Sequence, residues 1–310
     1  MTTCRVVEAS AATTALWSVA FAPRVMAVPA DDPAPLVIHR FRHAPAGAPE
    51  VDPSPVPAAI SAAGRVQAAD TAAQLAAWDD LRRRWPASRH VVVYDDAWFA
   101  ALPPAARHTA LPTEFAAEHG VIRTGGHGPV HRLASAAAGA GRVVSVLLGA
   151  ASSVAAVADG QPLECSSGAT GLEGVPGGVT CGDVDPAVLL YLVDRLGWSV
   201  DRVEQAVARE GGLAGVSRGR GTLAAVGADD DDARVAAEFL AHRLKRTIGG
   251  YAALLGGLDA LVFSGEFDGA WLGALLRGLR YLGVGRTVTV TTTPWTPVVA
   301  AAAVGMADHG

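Results

Sequence analysis

One stretch limits the fold of this chain more than any other: His90-Val91-Val92-Val93-Tyr94-Asp95-Asp96. The run is apolar without alternation, so both of its faces must be covered, which is the habit of strands in the parallel sheets of α/β proteins. It stops abruptly at two carboxylates, and the C-terminal edge of a parallel sheet is where open α/β folds build their sites. A second stretch, Arg123-Thr124-Gly125-Gly126-His127-Gly128-Pro129-Val130-His131-Arg132, packs glycines around a histidine. Pro129 is placed for the first turn of a helix over Val130 to Ala138. His127 then stands at a helix N-terminus, where unpaired N–H groups and the helix dipole favour an anion.

A chain of 310 residues is long enough for two ordinary domains with separate cores. Its net charge of -5, without a basic stripe, argues against nucleic acid as a partner. Cys4, Cys165 and Cys181 are spaced for neither a zinc ribbon nor a disulfide framework, which fits a reducing cytosol. The apolar stretch from Ala11 to Ala27 has Glu8 where a signal peptide would carry a basic residue, so a hairpin is the better reading. Val143 to Ala158 is apolar but interrupted by Gly149, Ser152 and Ser153, so two strands and a turn are expected there rather than a membrane span.

Val6-Val7, Thr14 to Phe21 and Arg24 to Val28 predict three short strands. Proline-rich joints flank Val37 to His43, and Ala58 to Arg84 has helical spacing ending in Arg82-Arg83-Arg84, a charge pattern suited to a helix C-terminus. Arg142 to Ala150 and Ser153 to Ala158 predict a hairpin, with Asp159-Gly160 as the turn that follows. Gly168 to Gly182 is a glycine-rich loop, of which Gly171 to Gly182 is readable as a phosphate cradle or as a flexible connector. Helices are predicted over Ala187 to Leu196, capped by Asp185, and over Ala233 to Leu255. Asp229 to Asp232 reads as a solvated approach to the second of these, and Asp259 to Ser264 as a further buried strand ending at Gly265. His127 and His131 have the spacing of a helical metal pair, yet no glutamate lies between them and no third ligand is evident, so no metal site is expected.

Several motifs together resemble the acetate kinase family. Tyr94-Asp95-Asp96-Ala97-Trp98 matches its aromatic-Asp-x-Ala-aromatic segment, and Gly125-Gly126-His127-Gly128-Pro129-Val130-His131 matches its Gly-aromatic-His-Gly-x-x-His segment. His39-Arg40-Phe41-Arg42-His43 corresponds to His-Arg-Val-Val-His, and Leu172-Glu173-Gly174, Gly182 to Ala187, Ala236 to Phe239 and Ile248 to Tyr251 match as well. The resemblance implies an α/β protein of two actin-like ATPase-fold domains with a cleft between them. The first would take 1–96 with 297–310 and the second 97–296, Thr296 to Ala307 closing back on the first as a helix.

The same resemblance implies a site of Arg40, Asp95 and His127 as catalytic groups, with His39, Arg123 and His131 binding substrate. Elsewhere the family's pattern is altered. Glu8 to Thr14 replaces its first phosphate hairpin and brings a carboxylate expected to repel nucleotide, and Leu147 to Ser153 lacks the histidine and asparagine of its second. Thr180 stands where a catalytic arginine is found, Ser264 to Gly269 loses the nucleotide-side pattern, and Pro294 to Pro297 lacks the magnesium carboxylate. These losses lead to the expectation that no cofactor, neither ATP nor magnesium, is used. The fold would then serve acid/base chemistry on a small carboxylate or acyl substrate, with a non-catalytic scaffold or a residual carboxylate kinase as alternatives. A homodimer formed through the second domain, a cytoplasmic location and no membrane partner complete the expectation.

Overall fold

The computed structural model describes residues 3–9, 14–20, 26–29, 33–139, 141–219, 230–265, 267–293, 296, 300–301 and 303–304. The chain divides into two compact units, one of residues 1–101, 108–133 and 294–310, the other of 102–107 and 134–293. Residues 108–133, with His127 and His131 among them, thus group with the first unit.

In the first unit β1 (Thr3–Ala9), β2 (Thr14–Ala20) and β3 (Met26–Pro29) form an antiparallel meander, and β4 (Leu36–Phe41), β5 (Val51–Asp52) and β6 (Arg89–Tyr94) complete a sheet of order β3-β2-β1-β4-β6-β5. β4 lies parallel to both β1 and β6. The valine run therefore forms the parallel strand that its composition dictates. Val91 and Val93 join Val6 and Ile38 in one core, while Val92 and Tyr94 join Phe41 and Trp78 in another on the opposite face. Each such side chain contributes about 1.5–3 kcal/mol at most by leaving water.

The helical pattern over Ala58 to Arg84 is split into α1 (Pro57–Ala63) and α2 (Ala68–Arg84), with a short 3-10 turn between them. Gly64 sets the break: a Cβ there would lie 2.0 Å from Thr71 Oγ1, and the Thr71 hydroxyl donates to the Gly64 carbonyl. Of the closing helix expected over Thr296 to Ala307, residues 296, 300–301 and 303–304 are described, and Ala301 and Val304 pack in the core that holds Val91 and Val93. Short helices α3 (Pro104–Arg107) and α4 (Thr113–His119) precede α5 (Gly128–Ala138), inside which the boundary between the units falls.

The second unit repeats the plan. β7 (Arg142–Leu148), β8 (Ser153–Ala158) and β9 (Gln161–Cys165) form the meander, and β10 (Ala260–Gly265) and β11 (Thr289–Thr293) run parallel to β7, giving the order β11-β10-β7-β8-β9. Asp159 and Gly160 both have left-handed φ angles, 50° and 77°, at the expected turn. α6 (Pro186–Asp194) is capped by Asp185, whose carboxylate accepts from the Ala187 N–H, and α7 (Val200–Ala208) and α8 (Gly212–Val216) follow. α9 (Asp231–Leu254) buries Ala236, Leu240, Leu244 and Ile248 on one stripe, and α10 (Gly269–Arg277) packs beside it. The glycine-rich loop packs closely on its neighbours: Gly178 N–H donates to the Gly149 carbonyl, and a Cβ on Gly177 would lie 2.3 Å from the Ala150 oxygen. Parts of the altered family segments, residues 10–13, 266, 294–295 and 297, lie outside the described residues, as does Asp229.

Candidate functional site

The site grows from the C-terminal edge of the first unit's parallel strands. β6 ends at Tyr94, and the Asp95 N–H still donates to the Phe41 carbonyl of β4, so Asp95 leaves the sheet at a fixed height. Arg40, near the end of β4, reaches it with both arms: Nε donates to Oδ1 at 2.9 Å and Nη2 to Oδ2 at 2.6 Å. Its Nη1 donates to Glu8 on the neighbouring β1. Burial opposes the charge on Arg40, but the Asp95 and Glu8 carboxylates outweigh it and hold the guanidinium above its ordinary pKa. Asp96 does different work, accepting from the Ala44 N–H and the His43 ring to fix the turn after β4.

His127 is brought to this edge by backbone rather than by a strand. Gly128 N–H donates to the Asp95 carbonyl at 2.6 Å, and a Cβ on Gly128 would lie 2.6 Å from the same oxygen. His127 itself has φ 59°, a left-handed backbone unusual for a residue with a side chain. Such a conformation costs on the order of 1–3 kcal/mol and persists where surrounding contacts over-determine it. Its carbonyl accepts from the Val130 and His131 N–H groups, so it does open α5. The ring is buried and its pKa is driven well below the usual histidine value, first by burial, then by Arg40, Arg42 and His131. His131, fully buried with its ring edge toward Phe99, is lowered to about 3 by burial, with Asp95 opposing. Both imidazoles are therefore neutral at neutral pH.

Arg40, Asp95, His127 and His131 thus form one cluster within a single unit. His39 does not join it. Alternation along β4 turns His39 to the α2 side, where its Nε2 bonds His90 Nδ1 at 3.0 Å. Since His90 Nε2 faces the Trp85 carbonyl and must donate to it, His90 Nδ1 accepts and His39 Nε2 donates. Burial first, then His90 and Arg82, lower His39 to about 3. Arg123 lies half-buried in the irregular segment before Gly125. A cavity of about 640 Å³ lined by Trp78, Arg82 and His90 lies at the opposite end of β6 and takes no part in the cluster.

Arg42 is the member that sequence reasoning missed. Its Nη2 donates to the Gly125 carbonyl at 2.9 Å, and its charge acts on His127. The signal was present in the paired departures from the family's motifs, arginine for the second valine and glycine for the aromatic before His127. The two belong together, because a Cβ on Gly126 would lie 2.4 Å from Arg42 Nη1. A buried carboxylate held by an arginine, a neutral histidine as hydrogen-bond partner and a second guanidinium can bind and orient an oxyanion.

Two units with the same plan, a three-stranded meander continued by parallel strands, and a site at the ends of those strands define a protein of the actin-like ATPase fold. The sequence profile of the acetokinase family matches residues 51–285, and the chain belongs to that family. It is 40% identical over 218 residues to an acetate kinase of Leifsonia xyli, covering 66% of this chain and 55% of the relative, and 37% identical over 216 residues to that of Clavibacter sepedonicus, covering 65% and 54%. The chain thus spans about half the length of these relatives. Its fold is that of a propionate kinase from Francisella tularensis, with TM-score 0.82 at 19% identity over 97% of this chain and 98% of the other. An acetate kinase from Porphyromonas gingivalis gives TM-score 0.80 at 21% identity over 99% of both.

The family match corrects the expectation that no cofactor is used: family membership and relatives of this identity point to ATP and magnesium. The physical reason lies in what those ligands need. Phosphates are held by backbone N–H groups as well as by lysine and arginine, and magnesium keeps most of its waters, bound through phosphates and one or two carboxylates. Among the described residues no group of three metal-ligating side chains is assembled, so the ion would come with the phosphates. Glu8, expected to repel nucleotide, is instead spent on Arg40. Among the described helices none is long and apolar enough to cross a membrane.

Proposed function

We propose that this chain transfers the γ-phosphoryl group of magnesium ATP to a small carboxylate. The observation that carries the reading is the Arg40–Asp95 pair beside a neutral, buried His127, in a chain of this family. A carboxylate oxygen forms the new bond to the γ-phosphorus while the bond to the β–γ bridging oxygen breaks, ADP leaving with that electron pair and an acyl phosphate remaining. Such transfers rest on positioning and electrostatics more than on covalent help from the protein. A neutral His127 supplies one N–H to an oxygen gaining charge without first having to lose a proton. Trapping acyl phosphate as its hydroxamate, with magnesium ATP and a panel of small carboxylates, tests this; product must require both substrates and fall at least a hundredfold in His127→Ala.

A second reading has its own support. Arg40 already faces two carboxylates, and Thr180, which takes the position of the family's arginine, is buried with its Oγ1 unpartnered among the described residues. Acid/base chemistry by His127 and Asp95 on an acyl compound would suit that balance. Hydrolysis of acetyl phosphate that needs His127 but no ADP would favour it.

We also infer a homodimer. α6 buries none of its nine residues although most are apolar, and Leu190 and Tyr191 are 70% and 52% exposed.

A further inference from the structure

We propose that Arg42 binds a second oxyanion on the substrate, so that the preferred substrates are dicarboxylates or carboxylates bearing a phosphonate or phosphate. The inference rests on the small-carboxylate reading above and narrows it. Of the two guanidinium groups acting on His127, Arg40 is neutralised by Asp95 and Glu8. Arg42 is half-buried, and among the described residues no carboxylate lies within ion-pair distance of it. Among the described residues its buried Nε has no hydrogen-bond partner, and the Gly125 carbonyl is the one acceptor on its guanidinium. A half-buried cation with one buried donor unmet gains from an acceptor, and a planar guanidinium fits an oxyanion with two parallel bonds.

The fold also makes room for this side chain. Gly126 carries no Cβ where one would lie 2.4 Å from Nη1, so the guanidinium rests over the backbone just before His127. Any larger residue there would expel it. Arg40 lies near the end of β4 and Arg42 just beyond it, two positions on, so their Cα atoms are at most about 7 Å apart, and both charges act on His127. That spacing suits two carboxylates separated by a short chain, of about four to five carbons in all. The reacting carboxylate would lie by Arg40 and His127, the second by Arg42. An apolar acyl tail would instead leave Arg42 unpaired.

The test compares propionate and butyrate with malonate, succinate, glutarate and 3-phosphonopropionate, by calorimetry and by acyl phosphate formation, in the wild type, Arg42→Val and Arg42→Lys. The doubly anionic compounds should exceed butyrate in kcat/KM by at least tenfold in the wild type, and the phosphonate arm decides between carboxylate and phosphorus oxyanions. Arg42→Val should reverse the preference, and Arg42→Lys, which keeps the charge without the planar fork, should retain part of it. Equal use of butyrate and succinate by the wild type would overturn the inference while leaving the carboxylate reading intact. Binding of none of these carboxylates would overturn both. The wild-type comparison stands even if a variant fails to fold.

Discussion

Arg40 holds Asp95 by two parallel hydrogen bonds, at 2.9 and 2.6 Å, and shares its remaining charge with Glu8. The two carboxylates are not equivalent, because the Asp95 side chain is 5% exposed and that of Glu8 is 29% exposed. Asp95→Asn should therefore cost about 3–5 kcal/mol in urea denaturation, as expected when a buried pair loses one member. Glu8→Gln should cost under about 1 kcal/mol, since a partly exposed partner is screened by solvent. It should also lower KM for a carboxylate substrate several-fold by returning positive charge to Arg40. A higher KM in Glu8→Gln would show that Glu8 orients Arg40 rather than competing with the substrate.

His127 offers a separation of strain from chemistry. At φ 59° glycine is at ease and alanine is not, so His127→Gly should be more stable than His127→Ala by about 1 kcal/mol, although glycine is otherwise the more destabilising choice. Both should lose the same activity if the ring is what matters. Thermal midpoints and turnover measured together check the pair, and equal stabilities would mean that the left-handed backbone relaxes once the ring is gone.

Much of this was legible in the sequence, and the reasons differ between elements. The valine run ending at Asp95 could hardly be anything but a buried parallel strand, and Pro129 placed the start of α5 to within a turn. The break at Gly64 was hidden, because it depends on Thr71 reaching back across the 3-10 turn. His39 was placed on the wrong side because motif proximity to Arg40 says nothing about strand alternation, whereas its partner His90 lies 51 residues away. Arg42 was overlooked for the opposite reason. Its meaning lies in a void at Gly126, 84 positions along the chain, and a void leaves no residue to notice.

Acid should destabilise the protein in a window set by its buried histidines. His39 and His131 are lowered from 6.5 to about 3, and His127 is also lowered well below 6.5. The unfolded chain therefore binds more protons than the folded one below pH 6.5. Stability is fully present above that value and falls with pH until the folded values near 3 are reached. Each such histidine contributes a loss of about 1.4 kcal/mol per pH unit within the window. Urea midpoints between pH 7.5 and 4.5 should fall steadily, and His39→Gln should flatten the slope by about one proton. An unchanged slope in that variant would mean that His39 gains a proton in the folded state at ordinary pH.

The dimer inferred from α6 can be tested where the helix is most exposed. Val188, Leu190, Tyr191 and Val193 are each at least 41% exposed, and Leu196 and Val200, just beyond the helix, are 51% and 71% exposed. The longer helix α9 of the same unit spends Leu240, Leu244 and Ile248 on the core of that unit. A two-fold interface sets the same patch against itself, so one substitution acts twice. Leu190→Glu would place two like charges near the axis and remove two apolar contacts, while leaving the monomer intact because Leu190 touches little of its own chain. Sedimentation equilibrium at micromolar concentration should give a dimer mass for the wild type and a monomer mass for Leu190→Glu, with unchanged far-UV circular dichroism. A wild-type protein that is monomeric at these concentrations would reject the dimer, and a dimer unaffected by Leu190→Glu would move the interface away from α6.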